Sequence, residues 1–507
     1  MALASVYSRA RVGLESPLVN VEVHLANGLP AFNIVGLPET SVKESKDRVR
    51  SAIINCGYEF PAKRITVNLA PADLPKEGGR FDLPIAVGIL AASNQLPNTN
   101  LHDYEFAGEL ALSGEVRAII GEIPMAIACS KSGRTLIIAK QNAEQASWVK
   151  QAKIHAIDHL TQLFSHFARQ NTLPFVEQRT LEYLAINNDL DMADVIGQPL
   201  AKRALEIAAS GSHNLLFIGP PGTGKTMLAS RLAGILPPMS EFEAIEVAAI
   251  QSISHQQINN KSWLTRPFRA PHHTASSAAL VGGGSQPQPG EISLAHNGVL
   301  FLDELPEFER KVLDVLREPM ESGEVTISRV MHKQTFPARF QLIAAMNPSP
   351  TGFYNDNRST PEQVLRYLNR LSGPFLDRID IQIEVARLPK GMWANQKKIS
   401  EKSIEIQGRV LTCRQIQIAR QGKANGHLSS NEVRTHCQLS HIDNELLELA
   451  VEKLGLSTRA HHKILKIART LADIDNKEHI CHEHIIEALS YRAMDRLFRH
   501  LTSAVTV

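Results

Sequence analysis

Cysteine is scarce. Cys56, Cys129, Cys413, Cys437 and Cys481 are the five in 507 residues, and no two form a C-x-x-C pair. Such spacing indicates neither a disulfide framework nor a thiolate zinc site. An excess of charge of one sign is also missing, since 54 Lys and Arg stand against 52 Asp and Glu for a formal net charge of +2. No global field therefore advertises nucleic acid, and a site of that kind would have to be a local patch. Long apolar runs are absent: nothing approaches a membrane span, and the first eleven residues lack the apolar centre of a signal peptide. The expectation is a cytoplasmic protein with no membrane partner. Core-forming residues are plentiful, at 43% of the chain, which at this length suits about three ordinary domains.

Residues 215–226 read Leu-Leu-Phe-Ile-Gly-Pro-Pro-Gly-Thr-Gly-Lys-Thr. Four apolar residues predict a short buried strand, and a glycine-rich turn leads into a helical pattern through Leu236. The turn fits the G-x-x-x-x-G-K-[ST] template of a phosphate-binding loop made of Gly219, Pro220, Pro221, Gly222, Thr223, Gly224, Lys225 and Thr226. Glycines let backbone N–H groups turn towards an anion, and the helix N-terminus adds a favourable dipole. Lys225 supplies a point charge for β- and γ-phosphates, and the Thr226 hydroxyl can coordinate Mg²⁺. The expected ligands are ATP and Mg²⁺.

Two further apolar runs end in polar groups. Residues 299–302 (Val-Leu-Phe-Leu) lead into Asp303 and Glu304. Behind a phosphate loop, Asp303 is expected to hold Mg²⁺ through water and Glu304 to orient or deprotonate the attacking water. Residues 340–346 end at Asn347, whose amide can reach a γ-phosphate or the lytic water; it also precedes Pro348, and Asn-Pro starts turns. Between these runs, residues 267–274 (Pro-Phe-Arg-Ala-Pro-His-His-Thr) read as a loop in which Arg269, His272 and His273 are cationic or ligand-like. The adjacent histidines are not at helical metal spacing. Residues 324–336 alternate as a hairpin carrying Arg329, His332 and Lys333. On a ring-shaped motor such loops would grip a polymer backbone, with Arg269, Arg329 and Lys333 as the candidate contacts and a solvated edge hairpin as the plainer alternative.

The first 165 residues predict a separate α/β domain: a strand over 19–25, a basic helix over 41–54, a strand over 65–69, a loop over 74–82 and an apolar helix to about residue 92. Its Pro75-Lys-Glu-Gly78, Gly108-Glu-Leu, Gly114-Glu-Val116 and Gly121 resemble the proteolytic domain of Lon. In that family a nucleophilic serine follows the Pro-Lys-acid-Gly segment, and here the position falls on Arg80. The lysine expected after the Gly-Glu-Val turn falls on Ile123 or Pro124. A Ser–Lys dyad needs a hydroxyl and an amine, so the resemblance implies a domain without proteolytic chemistry, in which Lys76 and Glu77 are solvated loop charges.

Asp194-Val-Ile-Gly-Gln198 before the phosphate loop is similar to the segment that packs against adenine in AAA+ ATPases. The two insertions place the chain with the magnesium-chelatase and MCM branch of those proteins. The runs 267–274, 289–298 and 373–380, together with the Lon-like start, resemble the YifB/ComM family over essentially the whole chain. That resemblance implies a hexameric ring ATPase, with branch-migration helicase activity in natural transformation known in the family. The implied fold is α/β: a Lon-like domain (1–165), a linker (166–190), an AAA+ core (191–400) and a C-terminal helical lid (401–507).

The resemblance also assigns arginines. Arg378 matches the arginine finger given to a neighbouring subunit's ATP, where a guanidinium neutralises charge on the γ-phosphate. Arg370 is second in line, and an intramolecular pair of Arg378 with Asp377 or Asp380 is the alternative. Arg459, at the start of a lid helix capped by Ser457, matches the sensor 2 arginine. Many relatives carry cysteines just after the Asn347 position; here residues 347–360 contain none, so no zinc is expected. Three functions remain open on this reading. The first is a ring motor on single-stranded and branched DNA, without sequence preference and dependent on salt. The others are a protein-remodelling ATPase and a magnesium-chelatase-type motor subunit.

Overall fold

Two kinds of strand build the chain: alternating strands with one buried face, and short strands buried on both faces. The structure is a computed structural model, and it describes residues 2–96, 100–178, 190–254, 263–284, 287–328, 333–353, 358–388 and 400–506. They form two compact units.

The first unit holds residues 1–182 together with 241–263. Its strands are β1 (Ala2–Arg9), β2 (Leu18–Ala26), β3 (Ala31–Val35), β4 (Arg64–Ala70), β5 (Tyr104–Ala107), β6 (Thr135–Ala139) and β7 (Lys153–Ile157). They make one sheet in the order β3-β4-β2-β1-β5-β6-β7. β1, β2 and β4 pair antiparallel, and β5, β6 and β7 run parallel. The alternation in β2 buries Val19, Val21, Val23 and Leu25. Against that face lies the Asp82–Ala92 helix, all eleven of whose residues are buried. A helix apolar on every side belongs in a core, and Gly88 lets it come close: a Cβ there would sit 2.5 Å from Val23 Cγ2.

The loop before this helix differs from expectation. Lys76 is fully buried, its amine donates to the Pro71 carbonyl, and burial pushes its pKa below the ordinary value. The loop folds inward here, with the Glu39 N–H bonded to the Lys76 carbonyl at 3.3 Å. Glu77 pairs with Arg11 at 3.1 Å. The buried Arg80 guanidinium donates to the Ile120 carbonyl and stands within the field of Glu122, the first residue of the Glu122–Lys131 helix.

Burial pushes the Glu122 carboxyl up to about 7 from 4.5, with Arg80 opposing the shift. A folded-state pKa above the unfolded one means that the folded chain keeps this proton longer, so stability falls as pH rises through that window. Glu122→Gln is therefore expected to raise stability by up to about 3 kcal/mol above pH 7 and to change little below pH 4.5. Denaturant unfolding of both chains at the two pH values measures this; an equal difference at both would refute it.

Residues 241–263 lie in sequence beyond the phosphate loop, yet they belong to this first unit. The Glu241–Ile253 helix buries Ala248 and Ala249 beside Ile123, Met125 and Ala126. The Gly121 N–H bonds the Ser252 carbonyl at 3.2 Å, and the Trp148 and Trp263 rings lie 4.6 Å apart.

The second unit contains residues 183–240 and 264–507. Its strands are β8 (Leu215–Ile218), β9 (Phe268–Arg269), β10 (Val299–Leu302), β11 (Glu324–Ser328), β12 (Lys333–Pro337), β13 (Gln341–Met346) and β14 (Ile381–Glu384). Five make a parallel sheet in the order β9-β10-β13-β8-β14. Parallel strands with both faces covered read as unbroken apolar runs, and every residue of β8, β10 and β13 is buried. β11 and β12 form the expected hairpin, with Arg329 and His332 outside the described residues. β9 lies within residues 267–274, expected to be loop, because pairing with β10 extends the sheet.

C-terminal helices follow at Ser403–Gln421, Ser430–His436, His441–Leu454 and Thr458–Ile474. The last helical segment divides into His482–Ser490 and Ala493–Thr506. The break serves the sheet: the Tyr491 carbonyl accepts the Gln382 N–H of β14 at 2.8 Å. Tertiary pairing overrides helical periodicity there.

Candidate functional site

β8 delivers the glycine-rich turn, and the Lys225–Arg231 helix follows it. Gly222 and Gly224 have φ of +76° and +86°, a region that favours glycine. Gly219 is needed for another reason: a Cβ there would lie 2.3 Å from the Val385 carbonyl oxygen. At the helix start the buried Lys225 amine donates to the carbonyls of Gly219 (2.7 Å) and Pro220 (2.9 Å) and to Asn347 Oδ1 (3.2 Å). Burial lowers its pKa and Asp303 opposes the shift. Three oxygens around one ammonium outline a place where phosphate oxygens would compete for the same donors. The flanking residues Pro221 and Thr223 complete the turn, with the Thr223 hydroxyl on the Pro220 carbonyl at 3.0 Å.

Strand order brings the other expected groups to the same edge, since β13 lies between β8 and β10. Asp303 Oδ2 accepts the Thr226 hydroxyl at 2.6 Å, and Asp303 Oδ1 accepts the Glu304 N–H at 2.9 Å. A hydroxyl and a carboxylate in contact at a phosphate loop are oxygen donors suited to Mg²⁺. Lys225, Thr226, Asp303 and Asn347 thus form one connected group.

Glu304 turns aside from it. Its backbone has φ +52°, uncommon for a residue with a side chain, and its carboxylate pairs with His273 Nδ1 at 3.0 Å. The His272 ring lies 4.1 Å from that of His273. The sequence marks His273 as cationic or ligand-like without showing its partner, which lies thirty-one positions away and is set by the neighbouring strands β9 and β10. Asp194 pairs with Arg231 at 3.0 Å, fixing the segment before the Pro199–Gly211 helix to the end of the phosphate-loop helix.

The arginines are placed as follows. Arg378 makes no pair with Asp377 or Asp380; its carboxylate partner is Glu321, at 2.7 Å. Asp380 is instead buried against Lys463 at 2.7 Å and the Asn214 N–H at 2.9 Å, and Lys463 with His213 holds its pKa far below the usual carboxylate range despite burial. Arg459, second residue of the Thr458–Ile474 helix, also approaches Glu321, at 3.5 Å. Arg370 pairs with Glu307 at 3.1 Å. Arg269 makes a two-bond fork to Glu291, both bonds 2.7 Å, so a phosphate would have to displace a carboxylate to reach it. Lys333 is exposed at the end of β12.

Comparison with known proteins agrees along the whole chain. Residues 191–392 match the family model described as magnesium chelatase, subunit ChlI, residues 21–142 match subunit ChlI of Mg-chelatase, and residues 400–492 match the subunit ChlI C-terminal model. Competence protein ComM of Haemophilus influenzae is 57% identical over 509 residues, covering 99% of this chain and 100% of the relative. The uncharacterized protein YifB of Escherichia coli K12 is 54% identical over 508 residues and 100% of both chains. A magnesium-chelatase 38 kDa subunit of Cereibacter sphaeroides is 22% identical over 60% of this chain and 91% of the relative. With full-length relatives above half identity and a parallel sheet that carries a phosphate loop, the chain belongs to the YifB/ComM family of magnesium-chelatase-like AAA+ proteins.

Proposed function

We propose that this chain hydrolyses ATP in a ring of its own copies and uses the energy to move DNA, promoting branch migration during DNA uptake and recombination. The observation that carries hydrolysis is the connected group Lys225, Thr226, Asp303 and Asn347. Lys225 binds the β- and γ-phosphates, and Glu304, once turned from His273, takes a proton from the attacking water. Thr226 and Asp303 would hold Mg²⁺, which neutralises phosphate charge. Asn347 orients the γ-phosphate or the water. Arg378 acts on the nucleotide of a neighbouring subunit and Arg459 touches phosphate when the lid closes. DNA enters the proposal through the 57% identity to a protein named for competence and through the exposed Lys333 at the start of β12, with Arg329, outside the described residues, and Arg269 as the other candidate contacts. A cytoplasmic place, six subunits, no zinc and a first domain without protease activity belong to the same proposal; the Arg80 guanidinium at the serine position supports the last. Under the domain reading, residues 191–400 are the motor core and 401–507 the lid.

The second reading, a magnesium-chelatase-type motor subunit, rests on the match to the 38 kDa subunit, and a protein-remodelling role stands beside it. DNA separates them. The ATP hydrolysis rate should rise with single-stranded or branched DNA, and the effect should weaken with added salt because phosphate contacts release counterions. No stimulation and no binding at low salt would remove the DNA motor. For Arg378, mixing Arg378→Ala chains with Lys225→Ala chains should restore hydrolysis of up to about one quarter of the wild-type rate, the share of randomly formed ring interfaces that join two intact halves. Mixtures as inactive as their parents would overturn the inter-subunit role.

A further inference from the structure

Glu321 lies on the short Pro319–Ser322 helix before β11, and no motif draws attention to it. Its carboxylate meets two guanidiniums from distant parts of the second unit, Arg378 at 2.7 Å and Arg459 at 3.5 Å. The Arg378 side chain is only 11% exposed, whereas Glu321 is 53% exposed. Arg378 is held on two other sides: Nε donates to the Arg317 carbonyl at 3.1 Å and Nη1 to the Pro374 carbonyl at 2.5 Å. Two of the five N–H donors of the planar fork are thereby bonded to carbonyls, while Nη2 stands in ion-pair contact with the Glu321 carboxylate.

We propose that Glu321 is a positioning residue that sets the orientation of Arg378 towards the neighbouring subunit's nucleotide. The inference rests on the reading of Arg378 as an inter-subunit arginine. The two carbonyls fix the near side of the guanidinium, but a carbonyl has no net charge with which to hold a cation. Glu321 is the anion of this group, and its charge, 2.7 Å from Nη2, supplies the electrostatic restraint that the carbonyls lack. A transition-state contact is sensitive to displacement of about 1 Å, which alone can cost about a hundredfold in rate. Arg459 approaches the same carboxylate from the lid, so movement of the lid changes the field in which Arg378 is held.

The test uses the full chain. Glu321→Gln keeps the size and one side-chain oxygen but loses the charge. It should lower kcat for ATP hydrolysis about ten- to a hundredfold and leave KM within about twofold, because the chain's own phosphate loop is untouched. A merely structural role would not produce the decisive pattern, which comes from mixing. Glu321→Gln chains should regain activity with Lys225→Ala chains, which supply an intact Glu321–Arg378 pair, and should regain none with Arg378→Ala chains. An unchanged kcat, a raised kcat, or failure to complement Lys225→Ala would overturn the proposal. If Arg378→Ala itself fails to complement Lys225→Ala, the inter-subunit reading falls first, and the two failures are told apart. Should Glu321→Gln not fold, Glu321→Asp, which withdraws the carboxylate by one methylene, goes through the same mixtures with the same outcomes deciding.

Discussion

Lys225→Ala should remove ATP hydrolysis and weaken nucleotide binding by about a hundredfold or more. The amine sits buried beneath the loop, donating to two loop carbonyls and to Asn347. A bound nucleotide would offer β- and γ-phosphate oxygens to the same donors. Charge-assisted hydrogen bonds contribute about 1.5–3 kcal/mol each, so losing two costs about 3–6 kcal/mol, and about 1.4 kcal/mol is a factor of ten in affinity. Alanine also leaves the Gly219 and Pro220 carbonyls pointing at the anion with no cation between them. Titration with a fluorescent nucleotide and a phosphate-release assay measure both effects. Wild-type affinity in the Lys225→Ala chain would show that the turn is not the nucleotide site.

The second large effect separates binding from chemistry. Glu304→Gln should hydrolyse ATP about 10²–10⁴ times more slowly, the usual contribution of a positioned general base, while binding nucleotide with nearly wild-type affinity. Gln has the same shape, so the turn at Glu304 with its φ of +52° is preserved although the ion pair with His273 is lost. What it lacks is a carboxylate able to accept the proton of the attacking water. Single-turnover hydrolysis alongside equilibrium binding gives the two numbers. A rate within tenfold of wild type would pass the base role to another group, and loss of binding would mean that Glu304 has a structural function instead.

Much of the second unit is legible in the sequence, for a physical reason. Parallel strands covered on both faces must be continuous apolar runs, so β8, β10 and β13 stand out, and whatever polar residue ends each run lies at the same edge of the sheet. Glycine supplies the second signal, because the turn after β8 needs backbone conformations that other residues avoid. What the sequence did not disclose depends on tertiary partners. Glu321 is an exposed acid in a four-residue helix, and only the fold sets it between Arg378 and Arg459. His273 meets Glu304 because β9 joins the sheet beside β10. Lys76 looks solvated by composition, yet the loop folds inward around it. The helix break at Tyr491 answers to Gln382, more than a hundred residues away.

Residues 241–263 give the chain a biosynthetic order. The first unit closes over Ala248, Ala249 and Trp263, which are encoded after the phosphate loop of the second. On a ribosome adding about 5–20 residues per second, the roughly 80 residues between positions 182 and 263 take about 4–16 s to appear. During that interval the nascent amino-terminal portion has an unfinished apolar surface around Ile123, Met125 and Ala126, the kind of surface that chaperones cover and that favours aggregation. The chain must also begin strand β8, which carries the glycine-rich turn, before its first unit can be completed, so neither unit is made as an uninterrupted stretch.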